Sequence, residues 1–134
     1  MSDSYKNVPH CDTLSHNEES CRPVREILNI VGNKWSILIV ALLEDGTKRF
    51  SELQRNVDGI SQRMLTRTLR ELERHGMLSR KVEPTVPPSV YYTLTPLGES
   101  LLAPAKALAF WAHGNYPEIQ AAQKAYDKKE ASEY

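Results

Sequence analysis

Between Ile60 and Gly76 the chain reads I-S-Q-R-M-L-T-R-T-L-R-E-L-E-R-H-G, and here the side chains best suited to chemistry are grouped. At about 100° per residue, Arg63, Arg67, Arg70 and Arg74 fall along one side of a helix, and Leu65, Leu69 and Leu72 along the other. A guanidinium binds phosphate and pairs in a fork with guanine, and a glutamine amide pairs with adenine. Ser61 and Gln62 at the helix start, with Arg63, Thr66 and Arg67, are therefore candidates for base edges, and Arg70 and Arg74 for phosphates. A short helix with one leucine face to bury and one arginine face to present is a candidate for lying in a DNA groove. The competing reading is a solvated charged face in which Glu71 and Glu73 pair with the arginines. Arg49 and Ser51, opening the preceding short helix, add candidates for backbone phosphate, helped by free amides at a helix start. Six phosphate contacts imply a salt slope of about −5 on B-DNA.

The elements around this stretch must hold it in place. Ser61 suits an N-cap and Gly76 a C-cap, so the helix has both ends marked. Pro23 suits the first turn of an earlier helix, with Val24, Ile27, Leu28 and Val31 at helical spacing and Gly32 as its stop. Lys34 to Leu43 predicts a second helix with Trp35, Leu38, Ile39 and Leu42 inward. Arg49 to Asn56 predicts a third with Phe50 and Leu53 buried, and Val57-Asp58-Gly59 turns the chain into the arginine helix. After Gly76 the period changes: Met77 to Glu83 and Val90 to Leu94 read as two strands of a hairpin, joined by a proline-rich loop holding Pro87 and Pro88. Thr95-Pro96 opens a helix through Leu101, Leu102, Leu108 and Trp111, which Pro104 should bend; Gly114 and Pro117 should break it before a last helix from Glu118 to Lys129. Two short helices joined by a tight turn, then a hairpin, form a winged helix-turn-helix: mainly α with a small β-hairpin.

Length and charge narrow the function. With 134 residues, one domain plus tails is expected. The net charge is zero, which taken alone opposes nucleic-acid binding. Residues 47–81, however, hold nine lysines and arginines against four acids, while residues 1–20 hold one lysine against four acids. Local charge sets the attraction to phosphate. No apolar run approaches the roughly 18 residues of a membrane span, and the polar N-terminus is not a signal peptide, so a cytoplasmic protein with no membrane partner is expected.

Other chemistry is thinly represented. Cys11 and Cys21 read as free thiols in such a compartment. Cys21 stands near a helix start with Arg22 and Arg25 close in sequence, which favours a thiolate; the alternative is a half-buried structural cysteine. His10, Cys11, His16 and Cys21 match no common zinc spacing, so no metal and no cofactor are expected. Trp35, Trp111, Tyr91 and Tyr92 could line a small aromatic-ligand pocket, though aromatic residues on apolar faces usually belong to a core. There is no phosphate-binding glycine loop and no nucleophile elbow, so an enzyme is not expected.

Val31-Gly32-Asn33-Lys34-Trp35-Ser36, Arg49-Phe50-Ser51-Glu52-Leu53, Gly59-Ile60-Ser61-Gln62-Arg63-Met64-Leu65, Leu69-Arg70-Glu71-Leu72-Glu73, Val86-Pro87-Pro88-Ser89-Val90-Tyr91-Tyr92 and Leu94-Thr95-Pro96-Leu97-Gly98 follow one another in an order that resembles the HxlR-type transcriptional regulators. The resemblance covers about residues 21–112. It implies a homodimer joined through its first and last helices, with Val24, Ile27, Leu28, Leu108 and Trp111 as interface candidates, on a palindromic DNA operator. It also implies a redox- or electrophile-sensing thiol before the first helix, where Cys21 stands; Arg22 separates it from Pro23, whereas in the family pattern proline follows the cysteine directly. Cys11 could act as its resolving partner. The expected division is a polar tail over 1–20, a DNA-binding domain with its dimerisation helix over 21–114, and a helical extension over 115–134. Two other readings stay open: a winged-helix adaptor that uses the arginine helix on an acidic protein, and a regulator that senses a small aromatic effector without thiol chemistry.

Overall fold

Asn33 starts the helix against which most of the protein packs. Its Oδ1 accepts from the N–H groups of Trp35 and Ser36 at 2.9 and 3.0 Å, taking up two of the amides that a helix start leaves free. The computed structural model describes the backbone of residues 18–133 and the side chains of residues 22–132. Its elements are α1 (Glu18–Val31), α2 (Lys34–Leu42), a 3-10 turn (Leu43–Asp45), β1 (Lys48–Arg49), α3 (Phe50–Asn56), α4 (Gln62–Arg74), β2 (Leu78–Glu83), β3 (Ser89–Leu94), α5 (Pro96–Ser100) and α6 (Leu102–Glu133). Helix α2 packs on α1, α3, α4 and α6.

The core is aliphatic. Ile39 and Val40 of α2, Leu53 of α3, and Leu65 and Leu72 of α4 have no exposed surface. Burying each such side chain contributes about 2 kcal/mol relative to leaving it in water. The leucine face expected for the arginine helix is therefore the face that faces inward. Thr68 lies on it too, buried, with its hydroxyl donated to the Met64 carbonyl at 2.8 Å.

The sheet differs from the expected hairpin by one strand. Its order is β1-β3-β2, all antiparallel. Strands β2 and β3 pair from Leu78↔Leu94 to Glu83↔Ser89, and β1 adds Lys48↔Tyr92 and Arg49↔Tyr91. A two-residue strand has no period to read.

The helices differ from expectation in five places. Helix α1 begins at Glu18, so Pro23 lies inside it, not in its first turn. Leu38, expected inward, is 44% exposed; Ser36 is the buried residue on that helix start. Phe50 is only half-buried. In place of the bend expected at Pro104, the helix breaks earlier, at Leu101 between α5 and α6, and Pro104 sits in the first turn of α6, where its missing N–H costs nothing. Finally, α6 runs unbroken through Gly114 and Pro117 to Glu133. Pro117 leaves the His113 carbonyl without its helical donor, and His113 is exposed, so water can serve it.

Thr95-Pro96 behaves as expected: Thr95 Oγ1 accepts from the Gly98 N–H at 3.1 Å, and Pro96 takes the first helical position of α5. Among the described residues no single helix is long and apolar enough to cross a membrane.

Candidate nucleic-acid interface

Helix α4 is fixed at both ends by the residues that mark them in the sequence. Ser61 Oγ accepts from the Met64 N–H at 3.1 Å. At the far end Gly76, at φ 80°, turns the chain left-handed, a conformation that costs glycine little, and the Met77 N–H donates back to the Leu72 carbonyl at 2.9 Å. The turn before α4 uses Gly59, at φ 84°. With Leu65, Leu69 and Leu72 buried, the opposite face has to be outward.

That outward face is an open groove lined by Gln62, Arg63, Thr66, Arg67, Arg70 and Glu71. Arg63, Arg67, Arg70 and Arg74 are all exposed. The competing reading required Glu71 and Glu73 to neutralise them. Among the described residues none of the four arginines lies within an ion-pair distance of an acid; Glu71 faces His75 instead, at 3.9 Å. The cations are thus available to an external anion. Thr66, which also lines the groove, donates its hydroxyl to the Gln62 carbonyl at 2.8 Å.

Two further depressions hold candidate residues. The groove between the α1–α2 junction and α4 is lined in part by Asn33, Met64, Arg67 and Glu71, so Arg67 borders both depressions. Lys34 opens α2 next to Asn33, with its Nζ 4.7 Å from the Trp35 ring centroid. Lys34 is an exposed cation adjoining Asn33 in the chain. The second lies where α3 meets the hairpin: Arg49, Phe50, Ser51, Pro87, Pro88 and Ser89 line one cleft. Ser51 is exposed at the start of α3, and Pro87 and Pro88 are exposed in the hairpin loop. The structure thus brings the candidates of α3 and the hairpin together in one cleft, and Gln62, Arg63, Thr66, Arg67 and Arg70 of α4 line a separate groove.

The remaining candidates lie elsewhere. Cys21 is the fourth residue of α1, so it is inside the helix instead of before it; its side chain, and Cys11, His10 and His16, lie outside what the structure describes. Among the described residues no three metal-ligating side chains come together. The aromatic residues disperse: Tyr92 is in the core, Trp35 is half-buried against it, and Trp111 is 59% exposed on α6. Ile27, Leu28 and Leu108 are also substantially exposed, and Val24 is half-buried.

Two helices joined by a tight turn, the second capped and cationic outside, with an antiparallel hairpin directly after it, define a winged helix-turn-helix protein. The chain belongs to the HxlR-like helix-turn-helix family, whose model matches residues 30–120. It is 47% identical over 103 residues to the helix-turn-helix transcriptional regulator YtfH of Escherichia coli (strain K12), covering 77% of this chain and 81% of that one. Among solved structures it is similar to the redox regulator HypR in its reduced form, with a TM-score of 0.67, 38% identity, and coverage of 74% of this chain and 98% of that one. It is also similar to diamide-treated YodB from Bacillus subtilis, with a TM-score of 0.59, 37% identity, and coverage of 70% and 93%. The protein is accordingly a transcriptional regulator of the helix-turn-helix type and not an enzyme.

Proposed function

We propose that the protein is a cytoplasmic, sequence-specific DNA-binding regulator that acts as a homodimer on a palindromic operator. The observation that carries this reading is the exposed face of α4, where Gln62, Arg63, Arg67 and Arg70 line one groove and, among the described residues, the arginines have no internal ion pair. In this reading Ser61, Gln62, Arg63, Thr66 and Arg67 meet base edges in the major groove, and Arg70 and Arg74 meet phosphates. Arg49 and Ser51 approach the backbone at the start of α3, and Pro87 and Pro88 lie along the flanking backbone or minor groove.

The exposed apolar side chains of α1 and α6 support the dimer. Ile27, Leu28, Leu108 and Trp111 are between 40% and 59% exposed in the single chain. Such a surface is what a second copy would cover. A two-fold dimer sets the two α4 helices about one DNA turn apart, near 34–36 Å.

Gel-shift titration against the protein's own upstream DNA tests the reading. Binding should exceed that to random duplex and fall steeply with salt, with a slope of about −5. Equal affinity for both duplexes would sink it, and weak salt dependence together with tight binding to an acidic protein would favour an adaptor.

A second reading concerns regulation by oxidants or electrophiles through Cys21. The similarity to the redox regulator HypR favours it, and so does the position of Cys21 in the first helix, which carries interface candidates. Oxidation of a thiol there would act on the dimer and so on the spacing of the two α4 helices.

A further inference from the structure

The guanidinium of Arg49 is occupied from within the protein. Its Nη2 donates to Ser89 Oγ at 3.0 Å, and its Cζ lies 5.5 Å from the centroid of the Tyr91 ring. Both partners belong to β3, the returning strand of the wing. Arg49 itself ends β1 and caps α3, and its backbone N–H donates to Glu52 Oε1 at 3.2 Å in the first turn of that helix. From Ser89 the contacts continue outward: Ser89 Oγ is 3.4 Å from Thr85 Oγ1, and Thr85 Oγ1 donates to the Pro87 carbonyl at 2.8 Å. A polar path thus joins the first turn of α3 to the wing tip, and Arg49 is the link between the two.

The tip needs such a link. From Pro84 to Ser89 it holds no cation, and Val86 at its end is fully exposed. Without a charge to draw it to phosphate, its place relative to α4 has to be set by the protein. A planar guanidinium does this well, because it stacks on an aromatic ring while its N–H groups point in fixed directions; a lysine offers a mobile point charge instead.

We infer that Arg49 is a positioning residue for the wing, holding Val86, Pro87 and Pro88 against the DNA at a fixed distance from α4. The inference rests on the DNA-binding reading and deepens it: Arg49 acts through Ser89 and Thr85, beyond any charge it lends to a phosphate.

The test uses the full-length protein and a duplex enriched by it from a random-sequence pool. Arg49→Lys keeps the charge, and Ser89→Ala and Thr85→Ala leave Arg49 intact. Each should lose hydroxyl-radical protection where the wing lies and keep protection of guanine N7 in the major groove. Affinity should fall about fivefold, as for the loss of one hydrogen bond, with the salt slope unchanged. Full wing protection and full affinity in Arg49→Lys and Ser89→Ala would overturn the inference and leave Arg49 as a phosphate ligand. A pool that yields no enriched duplex would overturn the DNA-binding reading and the inference together.

Discussion

The Ser36 hydroxyl, buried at the start of α2, donates to the Ile30 carbonyl in the last turn of α1 at 2.6 Å. That carbonyl is among the last four of α1, which have no partner inside the helix. This hydrogen bond therefore ties the core helix to the helix that carries Cys21, Ile27 and Leu28. Ser36→Ala should cost about 1–2 kcal/mol, because the carbonyl loses its donor in a part-buried place. The midpoint of urea unfolding should fall with the slope unchanged; an unmoved midpoint would mean that water replaces the hydroxyl without loss.

Gly98 is a second fixed point. It is buried, and a Cβ there would collide with the backbone carbonyl of Met77 and press on Leu94 at 3.0 Å. A carbonyl cannot swing aside as a side-chain end can. The same Met77 carbonyl accepts from the Thr95 N–H at 3.0 Å, which ties α5 to the start of β2. Gly98→Ala should therefore destabilise the protein by about 2–3 kcal/mol, as overpacking does. Thermal unfolding measures it, and a melting temperature equal to the parent's would refute the close approach.

What the sequence makes legible follows from length and periodicity. Helix α4 was readable to its ends, since Leu65, Leu69 and Leu72 repeat at helical spacing between a serine cap and Gly76. Its exposed arginines came with it. Strand β1 was not readable, and so neither was the link from Arg49 to Ser89 and Tyr91: residues 40 and 42 positions apart meet through a pairing of two residues. The start of α1 was misplaced because Glu18 and Glu19 look like tail, although acids are favoured in the first turn of a helix. Gly114 and Pro117 read as breaks, yet the helix continues through both, and a Cβ at Gly114 would meet nothing within 4 Å.

The dimer reading predicts the effect of charge on the exposed apolar face. Trp111→Glu and Leu28→Glu, both at positions more than half exposed in the single chain, should leave folding within about 0.5 kcal/mol of the parent. Both should shift the protein toward monomer in sedimentation velocity and weaken operator binding. Sedimentation of both variants as the parent does would place the interface elsewhere.

For Cys21 the prediction separates thiol chemistry from an effector of another kind. Diamide or a quinone should change operator binding of the parent protein and leave Cys21→Ser unaffected. An identical response in both would remove Cys21 from the mechanism. A response abolished equally by Cys11→Ser would instead make the two cysteines partners in one disulfide.

The division of labour along α4 is open to a direct comparison. Arg67, in the second turn of α4, lines both the groove of the outer face and the groove toward α2, whereas Arg74 is in the last turn and lines neither. A side chain near the start of a groove-bound helix reaches base edges, and one near its end meets the backbone. Arg67→Ala should lose about 1–3 kcal/mol on the enriched sequence, much less on random duplex, and relax the preference at one base position. Arg74→Ala should weaken all sequences alike and reduce the salt slope by about 1. Titrations of both variants at several salt concentrations, on enriched and random duplexes, decide the matter. If the two variants lose the same affinity on every sequence, both arginines are phosphate contacts, and the reading of bases falls to Gln62, Arg63 and Thr66.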